Sequence, residues 1–311
     1  MSVRSLVSVS LVLLVTVASA HTQEPLDIAP FRQSVEMDAP LPDTEWLLEQ
    51  VRARVKTDTE LLRRYTYRER RRDIKVSKLG KVTLGPTREF EVYPSSIPGE
   101  TYKRLMAIDG KPLDPEVLAA RDRKHREDLI ERHEQLDDET PDERAERLAK
   151  EEKALQEEQE QLEDAFRVFE FHLIGRDILD GRQMIVADLT PKEDAKPKTR
   201  IGKVMKNMRG RAWVNEQDFE LVRVDVEVVD DVKVGWGIVG RLHKGSQLLF
   251  QRTKVNDEIW LPSLMHIKMS GRTFIFRKFA LHTTTEYFDY RKFSVETDER
   301  VTTPRTEDQH K

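Results

Sequence analysis

Eight histidines are spread through the 311-residue chain, and their spacing limits the chemistry they can do. No two stand as His-x-x-x-His or His-Glu-x-x-His, the spacings that set two imidazoles on one helix face around a zinc ion. His125 and His133 lie eight apart in a charged stretch, while His172, His266 and His282 fall in strand-like segments and can meet only through folding. Aspartate and glutamate number 57, too many for any pair to stand out as acid and base. There is no cysteine, which removes thiol nucleophiles, thiolate ligands and disulfides together. No Gly-x-Ser-x-Gly elbow and no glycine-rich phosphate loop occurs either. The expectation is a non-catalytic protein with no metal and no cofactor. A hydrolase would need His172, His266 or His282 to converge with a carboxylate in one pocket.

Binding chemistry is better represented. Phe169, Phe171 and Leu173 share one face of a strand and Val168 and Ile174 the other, while Phe274 and Phe276 oppose Ile275, Phe279 and Leu281. An antiparallel sheet with one wet face alternates apolar and polar, so apolar residues on both faces need cover on both. Either they fill a core, or a curled sheet encloses an apolar ligand cavity, for which Phe169, Phe171, Trp213, Phe274 and Phe276 are the candidate lining. Ile201, Val204, Met205 and Met208 recur at helical spacing, with Lys203, Lys206 and Arg209 on the other side. This short basic amphipathic helix suits a lid, a transient contact with an anionic membrane surface, or ordinary packing. Its adaptable methionines favour the lid. Arg68, Arg70, Arg71 and Arg72 are split between two faces by strand alternation and read as a solvated strand surface; with the export signal described below, no nucleic-acid partner is expected.

The elements that must position these residues follow from pattern. Arg4, the apolar run Leu6 to Val17 and the small residues Ala18-Ser19-Ala20 have the order of a secretory signal peptide over 1–20, with His21 opening the mature chain. The run is broken by Ser8, Ser10 and Thr16 and is shorter than the roughly 20 residues of a spanning helix. The expected location is the periplasm, with the protein soluble after cleavage. Residues 21–42 read as an extended lead-in.

Residues 43–113 read as the first part of a β domain. A helix capped by Asp43 carries Trp46, Leu48, Val51, Val55 and Leu62, and strands follow at Tyr65–Val76, Lys81–Tyr93 and Thr101–Ile108. Asp109-Gly110 resembles a hairpin turn whose partner strand is replaced by helix. Residues 114–165 hold 29 charged residues with a net charge of −11 and no glycine, Phe, Tyr or Trp, against −4 for the whole chain. Asp114-Pro115 and the capping box Thr140-Pro141-Asp142-Glu143 start two helices. Leu148, Leu155 and Leu162 lie seven apart, with Glu152 and Gln159 in the seam between them. An inserted antiparallel helical hairpin that docks on an envelope partner, or a solvated helix pair with no partner, are both open.

Strands resume over 166–296, at Phe166–Gly175, Arg182–Leu189, Phe219–Val229, Gln247–Val255, Trp260–Met269, Arg272–Leu281 and Thr283–Val295. Turns are expected at Asp180-Gly181, Asn256-Asp257 and Ser270-Gly271, and a disordered tail at 297–311. About ten meandering strands make one large curved antiparallel sheet over an N-terminal helix, an α+β fold.

The motif Gly210-Arg211-Ala212-Trp213-Val214-Asn215 followed by Phe219-Glu220-Leu221-Val222-Arg223-Val224 resembles the bacterial outer-membrane lipoprotein-carrier (Lol-type) superfamily, with a helical insertion. Glu258-Ile259-Trp260-Leu261-Pro262-Ser263 and Tyr287-Phe288-Asp289-Tyr290-Arg291-Lys292-Phe293 are similar to its later strands. The resemblance covers about residues 43–295. It implies a half-open β-barrel over helices, with an apolar cavity for the acyl chain of a lipid or lipoprotein.

Overall fold

The computed structural model describes residues 39–76, 82–95, 97, 101–234, 240–273 and 277–292. The expected signal peptide, most of the lead-in, the 297–311 tail, Phe274 and Phe276 lie outside the described residues.

Helix α1 (Thr44–Arg54) begins where expected, with the Asp43 side chain accepting from the Trp46 amide at 2.9 Å. It ends earlier than its apolar stripe suggests, because Val55 turns extended and Leu62 belongs to a separate short helix α2 (Asp58–Leu62). Strands β1 (Tyr65–Val76), β2 (Val82–Pro94), β3 (Thr101–Ile108) and the two-residue β4 (Lys111–Pro112) follow. Asp109 and Gly110 both take positive φ, 52° and 72°, so the turn is a genuine hairpin and its partner strand exists, cut short by Asp114-Pro115.

Helices α3 (Pro115–Asp137) and α4 (Pro141–Val168) come next. The capping box is reciprocal, with Glu143 N donating to Thr140 Oγ1 at 3.3 Å and Thr140 N to Glu143 Oε2 at 3.0 Å. Leu148 and Leu155 face solvent instead of forming a seam, at 49% and 41% exposure. Helix α4 also runs past the expected boundary to Val168. Then come β5 (Phe169–Leu179), β6 (Arg182–Pro191), α5 (Arg200–Met205), β7 (Met208–Asn215), β8 (Leu221–Val228), β9 (Val232–Val234), β10 (Gly240–Leu242), β11 (Gln247–Val255), β12 (Ile259–Thr273) and β13 (Arg277–Lys292). Ser270-Gly271 is not a turn but lies inside β12. A Cβ on Gly271 would sit 2.2 Å from the Arg241 carbonyl oxygen, so the glycine serves the close approach of β10.

The sheet order is β4-β3-β2-β1-β13-β12-β11-β8-β7-β6-β5, every neighbour antiparallel. The chain therefore enters mid-sheet at β1 and meanders out to the β4 edge. It crosses through α3 and α4 to the opposite edge at β5, then meanders back until β13 pairs with β1. The two edges do not pair with each other, so the sheet is large and open.

One face of the sheet carries the helices. Leu47 and Val51 of α1 pack on Ile185 and Val214, with Phe166, Leu173, Phe219 and Leu221 around them. Leu62 of α2 packs with Tyr65, Tyr67, Val92 and Leu261. Val204 of α5 packs with Val228, Val232 and Leu242. Removing each such side chain from water is worth roughly 1.5–3 kcal/mol. Asp164 near the end of α4 is fully buried and ties α4 to α5. It accepts from Thr199 N and Thr199 Oγ1, both at 2.7 Å, from Lys198 N at 3.0 Å, and from Arg167 at 2.6 Å. Among the described residues no helix is long and apolar enough to cross a membrane.

Candidate functional site

Residues directly opposed across antiparallel strands point to the same face, so register places side chains in rows that run across the sheet. Two adjacent rows on the helix face hold the candidate site. The first runs Leu173, Ala187, Ala212, Val224, Phe250, Met265, Thr285, Arg71 and Arg88. The second runs Phe171, Leu189, Gly210, Val226, Leu248, Ile267, Thr283 and Asp73. Each is apolar from β5 to β12, turns to threonine on β13 and becomes charged on β1.

Together the rows form an apolar lane several strands wide. Its β5 half is roofed by α1, α5 and the end of α4, and it belongs to the cluster of Val168, Phe169, Leu189, Ala212 and Val226, against which Phe171, Met205 and Met208 pack. Further along, Val224, Leu248, Phe250, Met265 and Ile267 are only half-buried. Small side chains at Ala187, Gly210 and Ala212 keep the floor low. A Cβ on Gly210 would fall 1.9 Å from the Asp225 carbonyl oxygen, so that position accepts nothing larger. A cleft of about 380 Å³ opens where the lane meets the sheet edge, lined by Leu48, Phe166, Phe169 and Phe171 with Glu45, Glu49, Arg52 and Lys192 at its rim. That volume is at the low end of small-ligand sites.

The polar end is organised around Asp73. Its carboxylate accepts from Arg71 Nε at 3.0 Å, Arg88 Nη1 at 3.2 Å and Thr283 Oγ1 at 2.9 Å. Burial pushes this carboxyl up, but Arg71, Thr283 and Arg88 more than reverse that and hold it below the usual range. Two residues before Arg71 on the same strand, the buried Glu69 pairs with Lys103 at 2.5 Å.

The expected lining residues do not all meet. Phe169 and Phe171 lie together at the β5 end of the lane and line the cleft. Trp213 is on the opposite face: it is opposed to Val186 and packs with Met184, Val222 and Trp260, its indole donating to Asp177 at 3.1 Å. The expected lid helix is shorter than its pattern. Ile201, Val204 and Met205 are in α5, while Met208 opens β7, although Met205 and Met208 touch the same cluster. Phe250, Met265 and Ile267 are missed by sequence reasoning, although the alternation Met265-x-Ile267-x-Met269 marks one strand face.

His266 and His282 do converge, with ring centroids 4.9 Å apart, on the face away from the helices. His266 Nδ1 lies 2.9 Å from a hydroxyl, Thr284 Oγ1. Burial pushes both imidazoles down, His282 to about 4, which keeps them neutral near pH 7. His172 is elsewhere, 3.6 Å from Glu170 on the edge strand. Among the described residues no cluster of three or more metal-ligating side chains occurs.

No protein-family model matches the sequence, and no curated protein does. Several solved structures are similar to it. One is designated an outer membrane lipoprotein-sorting protein domain, from Vibrio parahaemolyticus, with 8% identity, 83% of this chain and 97% of that chain covered, and a TM-score of 0.27. A DUF1329 family protein from Desulfovibrio piger has 11% identity, 81% and 94% coverage and a TM-score of 0.26. A LolA superfamily protein from Nitrosomonas europaea has 8% identity, 85% and 99% coverage and a TM-score of 0.25. The superfamily that the strand motifs resemble is thus represented among them.

Proposed function

We propose that this is an exported, periplasmic, non-catalytic binding protein that holds the acyl chain of a lipid or lipoprotein on the helix face of its sheet. The observation that carries this reading is the apolar lane. Val224, Leu248, Phe250, Met265 and Ile267 form a contiguous strip that the three short helices leave half-buried. A linear chain without donors or acceptors suits such a floor, because the strand backbone beneath it is already fully paired within the sheet. The methionines of the strip and of the α5 region adapt to a ligand of variable length. The order of residue types over 1–20 supports export. Native mass spectrometry after mild purification is expected to show lipid adducts, and a fluorescent fatty acid is expected to bind with a loss on Phe250→Asp. A ligand-free protein that also leaves the fluorophore unbound would overturn the reading.

A second reading has its own support. Val117, Ile130, Leu148 and Leu155 are exposed apolar residues on two acidic helices whose bases are tied to the sheet. These helices would dock on an envelope partner, with the sheet as scaffold. Loss of partner capture on Leu148→Lys with Leu155→Lys, with fatty-acid binding intact, would assign the function to the helices.

A further inference from the structure

We infer that the lane ends in an oxyanion site, formed by Arg71 and Arg88, that recognises the carboxylate or phosphate headgroup of an amphiphile. The inference rests on the acyl-chain reading and adds the ligand's chemical class. Arg71 and Arg88 are directly opposed across β1 and β2 on the same face as the apolar rows. Like charges so placed repel and destabilise the pair unless an anion lies between them. Asp73 is that anion, but it is one carboxylate serving two guanidiniums. Glu69, two residues before Arg71, is already matched by Lys103, so among the described residues the cluster keeps one positive charge in excess.

Donors are left over as well. Arg71 uses only Nε and Arg88 only Nη1 in these contacts, so each guanidinium retains a forked edge suited to an oxyanion. The side chains are 44% and 37% exposed, within reach of a ligand. Thr285 separates Arg71 from Met265 in the first row, as Thr283 separates Asp73 from Ile267 in the second. With strands about 4.8 Å apart, Val224 lies roughly 19 Å from Arg71 along the row, the reach of a fatty acyl chain. An anionic head among the arginines therefore leaves its tail over Met265, Phe250 and Val224.

The test compares ligands that share a chain and differ in the head. Laurate and dodecanol are titrated against the purified protein carrying a fluorescent apolar probe, with inorganic phosphate as the free anion. Laurate is expected to displace the probe at about tenfold lower concentration than dodecanol, the margin of a charge-assisted pair. In the R71Q/R88Q variant that preference is expected to vanish while dodecanol displaces as before, which also shows that the variant is folded. Equal potency of the two ligands on the unaltered protein overturns the oxyanion site and leaves the acyl-chain reading standing. Displacement by neither overturns the acyl-chain reading and this inference with it. Thermal stabilisation by inorganic phosphate equal to that by laurate overturns the amphiphile as the ligand.

Discussion

His266 and His282 show how burial on a strand face, without any catalytic partner, sets a pH response. Burial is the largest influence on His282, and the neighbouring His266 and Lys268 push it the same way, to about 4. Burial and Lys268 lower His266 too, against a smaller upward pull from Asp225. Both folded-state values lie below the ordinary 6.5, so the unfolded chain takes up protons first as pH falls. Stability is fully present above about pH 6.5 and is lost as pH falls toward the folded value, with a ceiling of about 3 kcal/mol for His282. Unfolding free energies from urea titrations at pH 7.5 and pH 5 are expected to separate by about 1 kcal/mol more in the native protein than in His282→Gln. Equal separations would show that this imidazole is not the titrating group. At this scale the lane is half legible in the sequence. Alternation puts Phe169 and Phe171 on one face, and Met265 and Ile267 on one face of another strand. Trp213 misleads because its neighbour Ala212 faces the lane, and only the pairing with β6 tells which of the two is inside.

Helix starts and Asp-Gly turns are the features the sequence specifies best, because their signals are local, whereas the ends of α1, α4 and α5 fall away from their apolar patterns. Asp43, Asp114, Thr140 and Thr199 each cap the helix that follows. Asp180-Gly181 turns its hairpin with φ of 50° and 73°. Long-range contacts leave no such mark. Nothing in the sequence around Gly202 announces that α5 is held by Asp164, thirty-eight positions earlier, yet a Cβ on Gly202 would fall 2.2 Å from the Asp164 carboxylate. Burial raises the Asp164 pKa, but the Lys198 and Thr199 donors with Arg167 outweigh it and hold the carboxyl below its usual range. A depressed folded value means that the stabilisation is present above about pH 4 and is lost as pH falls through the folded pKa. Asp164→Asn is expected to cost about 3 kcal/mol at pH 7, because Arg167 and the Lys198 and Thr199 amides at the start of α5 lose their charged acceptor. The cost should shrink toward pH 2, and amide exchange should quicken in 200–206 before it does in the sheet. A deficit that is the same at both pH values would assign the loss to packing instead.

The whole molecule is organised by its inserted helix pair, which also joins the two edges of the sheet. Strand and helix patterns show two β segments flanking a charged helical stretch, but not that β1 pairs with β13 or that the stretch joins the two sheet edges. Pairings so far apart in sequence leave no periodic trace. The topology requires that α3 and α4 carry the chain from β4 at one edge to β5 at the other. Their bases are fixed: Asp122 accepts from Tyr102 at 2.6 Å and from Arg104 at 2.9 Å, and Asp164 holds α5. Between those two carboxylates, from 123 to 163, no residue is fully buried. Charge pairs such as Arg147 with Glu139 at 2.8 Å lie along the distal part instead, and solvent-screened pairs of this kind add little to stability. Replacing 128–150 with a short flexible linker is therefore expected to leave the thermal midpoint of the sheet within a few degrees of the native value, and laurate binding unchanged. If the shortened protein fails to fold or melts far earlier, the long helices are a structural part of the sheet, and a role as a separable docking arm is ruled out.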